Sequence, residues 1–270
     1  MNMEVKFAAV VVVYNKSCAD SLTCRALEQM ALEDVCVTVF DNSTSDFSNE
    51  TYCEEKDWVF LGGNGNLGIS KAYNACIDKL ISDGFEGMIC LFDDDTQLSK
   101  EYFELLKQSV SQNDSRIFVP LIFAGGKLIS PCLLEKGHKV VLFEEAEQAL
   151  NYNGEALSAI NSCMAVSTDI FKDFRYDENI FLDGVDHNFV VEMRKKGEKL
   201  KVFPFRCEHM FSGVEKPPMA SALNRFKIYA KDYGYILKED KLSYLKLVGK
   251  RAISLCIKYK TFIFLKDLLK

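Results

Sequence analysis

Five short apolar runs alternate with helix-length stretches over residues 7–122, and this rhythm limits the chain to a small set of folds. The runs at 7–13, 35–40, 58–61, 88–92 and 117–122 are rich in Val, Ile, Leu and Phe and are bounded by Asn, Asp or Gly, as buried strands are. Between them, 19–32, 69–81 and 100–112 have the length and apolar spacing of helices. Strand, helix, strand repeated in this way predicts an α/β fold. It should be a doubly wound, mostly parallel sheet with right-handed crossovers and helices on both faces. Such sheets bind ligands beyond the carboxyl ends of their strands. The residues just after these runs are Tyr14 and Asn15, Asp41 and Asn42, Gly62 through Gly68, and Asp93 through Asp95, so four polar clusters are expected on one edge.

Asp93, Asp94 and Asp95 repel one another at the end of the fourth run unless something positive sits among them. A hard divalent cation such as Mg²⁺, Mn²⁺ or Ca²⁺ suits carboxylate oxygens. Held by only one or two carboxylates, it completes its shell with water and substrate phosphates. A solvated acidic turn ahead of a helix starting near Ser99 accounts for the same residues. Gly63, Gly65 and Gly68 match G-x-G-x-x-G between a strand and a helix, so an NAD(P)-dependent oxidoreductase is a second reading. Against it, the glycines follow the third strand rather than the first, and the acid at the next strand end, Asp93, lies 25 residues beyond Gly68. The same glycines and amides suit a phosphate at the helix N-terminus.

Past residue 123 the rhythm loosens. Residues 160–166 and 200–205 read as strands, and 188–196 as a helix stopped by Gly197. Ten cysteines, none in a C-x-x-C pair and several inside apolar runs, predict reduced, buried thiols in a cytoplasmic setting rather than disulfides or a zinc site. Positive charge gathers at the end: residues 216–270 hold 13 Lys plus Arg against 4 Asp plus Glu, in a chain of net charge −6. In 250–265 these cations are interleaved with large apolar residues. On a helix Arg251, Ser254, Lys258 and Thr261 line one face while Ile253, Cys256, Phe262 and Ile263 lie elsewhere, the pattern of a helix resting on an anionic membrane rather than on nucleic acid. A C-terminal helix packed on the body with a solvated basic face fits the pattern equally.

Six segments then occur in order: Val11-Val-Val-Tyr-Asn15, Val39-Phe-Asp-Asn-Ser43, Gly65-Asn-Leu-Gly-Ile-Ser-Lys-Ala-Tyr-Asn74, Leu91-Phe-Asp-Asp-Asp95, Phe181-Leu-Asp-Gly-Val-Asp186 and Glu208-His209. In this order they resemble the family-two glycosyltransferases of the GT-A fold, and they look most like the bacterial rhamnosyltransferase branch. The likeness spans residues 7–213.

The resemblance implies an inverting, metal-dependent transferase that moves one sugar from a nucleotide-diphosphate donor, dTDP-rhamnose or a UDP-sugar, to a hydroxyl of a growing bacterial surface glycan. It implies Asp41 at the nucleotide base, and Asp93 and Asp95 as the D-x-D element on the donor ribose and on Mg²⁺ or Mn²⁺, with Asp94 between them. His209 would complete the metal or diphosphate site, and Asp186 would be the general base that takes the acceptor proton. Tyr14, Asn15, Asn66 and Gly68 complete the expected nucleotide-sugar site. Asp183 is a rival base, Asp186 also suits a helix N-cap, and His209 also suits a structural role. The chain departs from the family pattern at Asn188, where many relatives carry an acid, and at Tyr73, where some carry arginine; Lys71 is then the candidate cation for the diphosphate. A non-catalytic carbohydrate-binding relative would keep the fold, but Asp93, Asp95 and Asp186 together argue against it. The expected organisation is a nucleotide-sugar-binding half at 1–97, an acceptor-binding half of the same domain at 98–214 and a basic amphipathic helical tail at 215–270. The tail would hold the enzyme at the cytoplasmic face of the inner membrane, beside a lipid-linked acceptor.

Overall fold

A computed structural model describes residues 5–63, 65–208 and 217–266 of the chain. The first half runs β1 (Phe7–Val13), α1 (Leu22–Met30), β2 (Val35–Asp41), α2 (Asn49–Glu54), β3 (Val59–Gly62), α3 (Ile69–Ser82), β4 (Met88–Asp93), α4 (Lys100–Gln112) and β5 (Ile117–Ala124). It continues through β6 (Lys127–Ser130), β7 (Cys132–Glu135), β8 (Lys139–Leu142), α5 (Ala146–Leu150), β9 (Leu157–Ser158), β10 (Met164–Ser167), α6 (Val185–Lys195) and β11 (Leu200–Glu208). Three helices follow: α7 (Met219–Ile236), α8 (Lys241–Tyr259) and α9 (Ile263–Lys266).

The main sheet has the order β11-β5-β10-β4-β1-β2-β3, with β6 paired to β5. Strands β1 to β4 are parallel to their neighbours in that set. The expected strand at 160–166 forms as β10, which runs antiparallel between β4 and β5; β11 returns parallel to β5. All the parallel strands therefore end on one edge, where β10 begins. Strands β7, β8 and β9 make a small separate sheet.

Alternation along β1 shows why both faces are covered. Ala8, Val10 and Val12 join one core with Tyr73, Ile77 and Leu80 of α3 and Phe189 and Met193 of α6. Phe7, Ala9, Val11 and Val13 join a second core with Leu27 of α1 and Tyr102, Phe103 and Leu106 of α4. Each such side chain buried between sheet and helix contributes about 1.5–3 kcal/mol, which fixes strand register along with helix position. The GT-A arrangement follows: a mixed, mostly parallel sheet between helical layers, with helices at the C-terminus.

Several elements differ from expectation: β10 begins at Met164 rather than 160, and β6 to β9 and α5 form in the stretch where the rhythm loosens. Helix α6 begins at Val185 rather than 188, because Gly184, at φ 78°, turns the chain into the helix early. Helix α2 was not anticipated, since six residues are too few to display a helical period. The last three helices share their own apolar cluster around Phe226, Tyr229, Tyr233, Val248, Ala252 and Phe264, while Tyr235 and Ile236 of α7 reach the core beneath α3 and α6.

Candidate active site

Strand order reverses direction between β1 and β4, so the crevice beyond their ends is the switch point at which such sheets take ligands. Tyr14 and Asn15 follow β1 there, and the acidic run Asp93 to Asp95 closes β4. The acidic turn is held by the start of α1: the hydroxyl of Thr23 donates to the Asp93 carbonyl, and the hydroxyl of Ser21 donates to the Asp94 carbonyl at 2.7 Å. Thr96 N–H in turn donates to Thr23 Oγ1 at 3.0 Å. The Asp94 side chain pairs with Lys16 and accepts from Tyr14 N–H at 3.4 Å. The Asp94 charge is thereby answered by Lys16, and Asp93 and Asp95 beside it are half-buried.

On the other side of β1, Asp41 is buried and anchors the second loop. Its Oδ1 accepts from Ser43 N–H at 2.9 Å and its Oδ2 from the Asn49 amide at 2.8 Å. The same Asn49 accepts from Cys18 N–H at 2.7 Å and donates to the Lys16 carbonyl at 3.1 Å, so it ties the loops after β1 and β2 together. Asn15, at φ 49°, accepts from both the N–H and the hydroxyl of Thr44. Asn42 accepts from Leu67 N–H at 2.7 Å and Asn66 from Gly68 N–H at 3.0 Å, which orders the glycine loop after β3. Tyr14 stands half-exposed at the rim.

The glycine loop leads into α3 in a way that weakens the dinucleotide reading. Ile69 N–H, the first amide of α3, donates to the Phe181 carbonyl at 2.8 Å, and Ser70 Oγ donates to the Ile180 carbonyl at 2.6 Å. A Cβ on Gly68 would lie 2.6 Å from the Phe181 ring and 2.7 Å from its carbonyl oxygen. Gly68 serves contact with a protein segment, and the amide a pyrophosphate would use is already engaged. Asn64 of this motif lies outside the described residues.

That segment carries the remaining acids. Asp183 is fastened by Arg225, which donates to both carboxylate oxygens. Asp186 is the second residue of α6, not a residue ahead of the helix, and not its N-cap, which is Gly184. Its Oδ1 accepts from the adjacent His187 N–H at 2.7 Å. Tyr73, buried beneath this region and packed on Tyr176, has its phenol pushed well above the ordinary range, first by burial and then by the carboxylate of Asp93, with Tyr176 and Asp186 adding to it. One phenol thus senses both the acid at the end of β4 and the acid at the start of α6. His187 pairs its Nδ1 with Ser158 at 2.9 Å, and burial lowers the pKa of neighbouring His138.

Lys71 is exposed on α3, and Lys16, not Lys71, is the cation paired at the acidic turn. His209 lies outside the described residues. Among the described residues no three His, Cys, Asp or Glu side chains group as a metal site. Asp93 and Asp95 fit a cation of the kind held by two carboxylates plus substrate and water oxygens. A groove of about 770 Å³ lined by Asn113, Tyr152, Arg194 and Lys199 lies at the opposite edge of the sheet, away from all these residues. Asn49 and, on α7, Asp232 escaped the sequence reading. The one signal for Asp232 is an acid on the apolar side of a basic helix.

The family model Glycosyl transferase family 2 matches residues 8–175. Among solved structures, GalNAc-T7 with UDP, GalNAc and Mn²⁺ is similar at a TM-score of 0.62 and 14% identity, over 87% of this chain and 48% of that one. TarS of S. aureus is similar at 0.55 and 16%, over 86% of this chain and 40% of that one. A shorter TarS, residues 1–349 with UDP-GlcNAc, is similar at 0.54 and 15%, over 86% and 67%. This chain spans less than half the length of the first two. At these identities the likeness is one of fold. No curated protein matches the sequence.

Proposed function

The chain belongs to glycosyl transferase family 2, and from that premise we propose that it transfers one sugar from a nucleotide-diphosphate donor to a glycan hydroxyl, with Asp186 as the general base. The observation that carries the reading is the pair of bonds from Ile69 and Ser70 to the carbonyls of Phe181 and Ile180, which bring the Asp186 segment against the loop after β3. Donor-side and base-side residues then share one edge of the sheet. Asp183, committed to Arg225, is the weaker base candidate.

The acceptor hydroxyl loses its proton to the Asp186 carboxylate as its oxygen bonds to the anomeric carbon; the bond from that carbon to the diphosphate oxygen breaks and the nucleoside diphosphate leaves. A single displacement inverts the anomeric centre. Asp41, Asn15, Tyr14, Asn66 and Gly68 line the nucleotide-sugar side, and Asp94 steadies it through Lys16. Asp93 and Asp95 would hold Mg²⁺ or Mn²⁺, with His209 as a further ligand; that ion supplies charge stabilisation for the leaving diphosphate. The GalNAc-T7 and TarS structures hold UDP or UDP-GlcNAc, which supports a UDP-sugar beside dTDP-rhamnose as donor. The acceptor is a lipid-linked bacterial surface glycan, met at the membrane by the basic, apolar face of α8.

Thermal melting with UDP, dTDP, GDP or NAD, each with and without Mn²⁺, tests the donor reading. A Tm raised by UDP or dTDP only with Mn²⁺ is expected, and a rise with NAD alone would overturn it. Asp186→Asn should lower kcat by about a thousandfold or more while UDP still binds. Unchanged turnover would remove Asp186 as the base.

A further inference from the structure

Asp232 lies in the next-to-last turn of α7 and is completely buried. A buried carboxylate is costly unless its oxygens are satisfied, and here they are satisfied by backbone. Oδ1 accepts from Phe181 N–H at 3.0 Å, and Oδ2 accepts from Leu182 N–H and Asp183 N–H, each at 2.8 Å. Seven residues earlier on the same side of the helix, Arg225 grips the Asp183 side chain with two nitrogens. The next residue, Gly184, lies against the helix: a Cβ there would stand 2.8 Å from Ile236 Cδ1 and 3.3 Å from the Tyr233 ring. Helix α7 therefore touches four successive residues, 181 to 184, and α6 starts at the fifth.

The same segment is held from the opposite side, where α3 binds the carbonyls of Ile180 and Phe181. Carbonyls go to α3 and amides to α7, leaving the chain little freedom before it enters the turn that carries Asp186. We propose that Asp232 and Arg225 are positioning residues for this reaction, acting through the backbone of 181–184 to set where the Asp186 carboxylate stands. Helix α7 then serves the reaction by positioning its base. This inference rests on Asp186 being the base.

The test uses the full chain and the variants Asp232→Asn and Arg225→Lys. Asp232→Asn keeps the shape but turns an amide nitrogen toward backbone N–H groups. Arg225→Lys keeps the charge at a half-exposed site and loses the fork, so it remains informative if the first variant does not fold. Faster hydrogen exchange at the amides of 181–183 is expected, with kcat down about tenfold to a hundredfold and donor KM within about twofold, because a displaced catalytic group costs rate more than binding. In the Asp186→Asn background the second substitution should reduce residual turnover no further. Unchanged exchange at 181–183 would overturn the inference whatever the enzyme does. Loosened amides with unchanged kcat, or a further full loss in the Asp186→Asn background, would overturn the positioning role and leave the base intact. Failure of the transferase reading shows separately: the unmodified chain would consume no nucleotide-sugar while its amides still responded to Asp232→Asn.

Discussion

A methyl group at position 68 has nowhere to go. Gly68 holds φ 86° and ψ 165°, a region open only to glycine, and the nearest obstacle includes the backbone oxygen of Phe181, which cannot turn aside as a side chain can. Gly68→Ala should lower stability by about 1–3 kcal/mol in urea unfolding and reduce turnover with it, since the two segments it would separate carry opposite halves of the proposed site. A variant with unaltered midpoint would show that the loop repacks freely. The acids at strand ends, Asp41, Asp93 and Asp95, were legible because a charge directly after a buried run is unfavourable without a ligand or a bonded loop to hold it. Asn49 and Asp232 were not, because each works through groups far away in sequence, and no periodicity records a hydrogen bond from residue 181 to residue 232.

Helix α8 divides its apolar residues between two destinations. Val248, Ala252 and Cys256 are buried against α7 and α9, so the helix does pack on its neighbours. Leu242, Leu245, Ile253 and Ile257 are exposed beside exposed Lys241, Lys246 and Lys250, and residues 241–265 contain no acid. The sequence pattern had grouped Ile253 with Cys256, yet the fold separates them, because only packing decides which half of a broad apolar arc is covered. No helix among the described residues is long and apolar enough to cross a membrane. A face so composed matches an anionic bilayer surface, whereas two copies set face to face would oppose like charges. Replacing Ile253 and Ile257 by Glu should weaken sedimentation with phosphatidylglycerol vesicles by about tenfold or more and leave binding to neutral vesicles as low as before. Undiminished sedimentation would assign the face another role. The strands of the first half and the helices at 69–82 and 100–112 are legible nearly to their ends, whereas β6 to β9, α2 and the starts of β10 and α6 depend on short runs and turns that carry no period.

Over the whole molecule the thiols give a simple measure of how completely the two cores close. All ten cysteines are free; nine are buried and Cys36 is exposed, the exception to the expected burial. Burial pushes the Cys90 thiol up to about 12, and burial with the Asp186 carboxylate does the same for Cys132. A thiol reagent at neutral pH should therefore modify one residue in the native protein, slowly because partial burial of its sulfur raises the Cys36 thiol, and all ten after unfolding. More than one rapid modification would mean that a core opens readily.

Strand β10 sits in the middle of the sheet although it is made late. Its partners β4 and β5 end at residues 93 and 124, while β10 begins at 164. On a ribosome adding about 5–20 residues per second, both partners emerge seconds before the strand that joins them. During that interval the nascent chain has a slot where its sheet will be, flanked by two unpaired edges, and must neither close it wrongly nor offer it to another chain. The segment 181–183 waits longer still, because the carboxylate that seats it, Asp232, is synthesised after every strand of the sheet. Synthesis therefore finishes the sheet first and seats the segment ahead of α6 last.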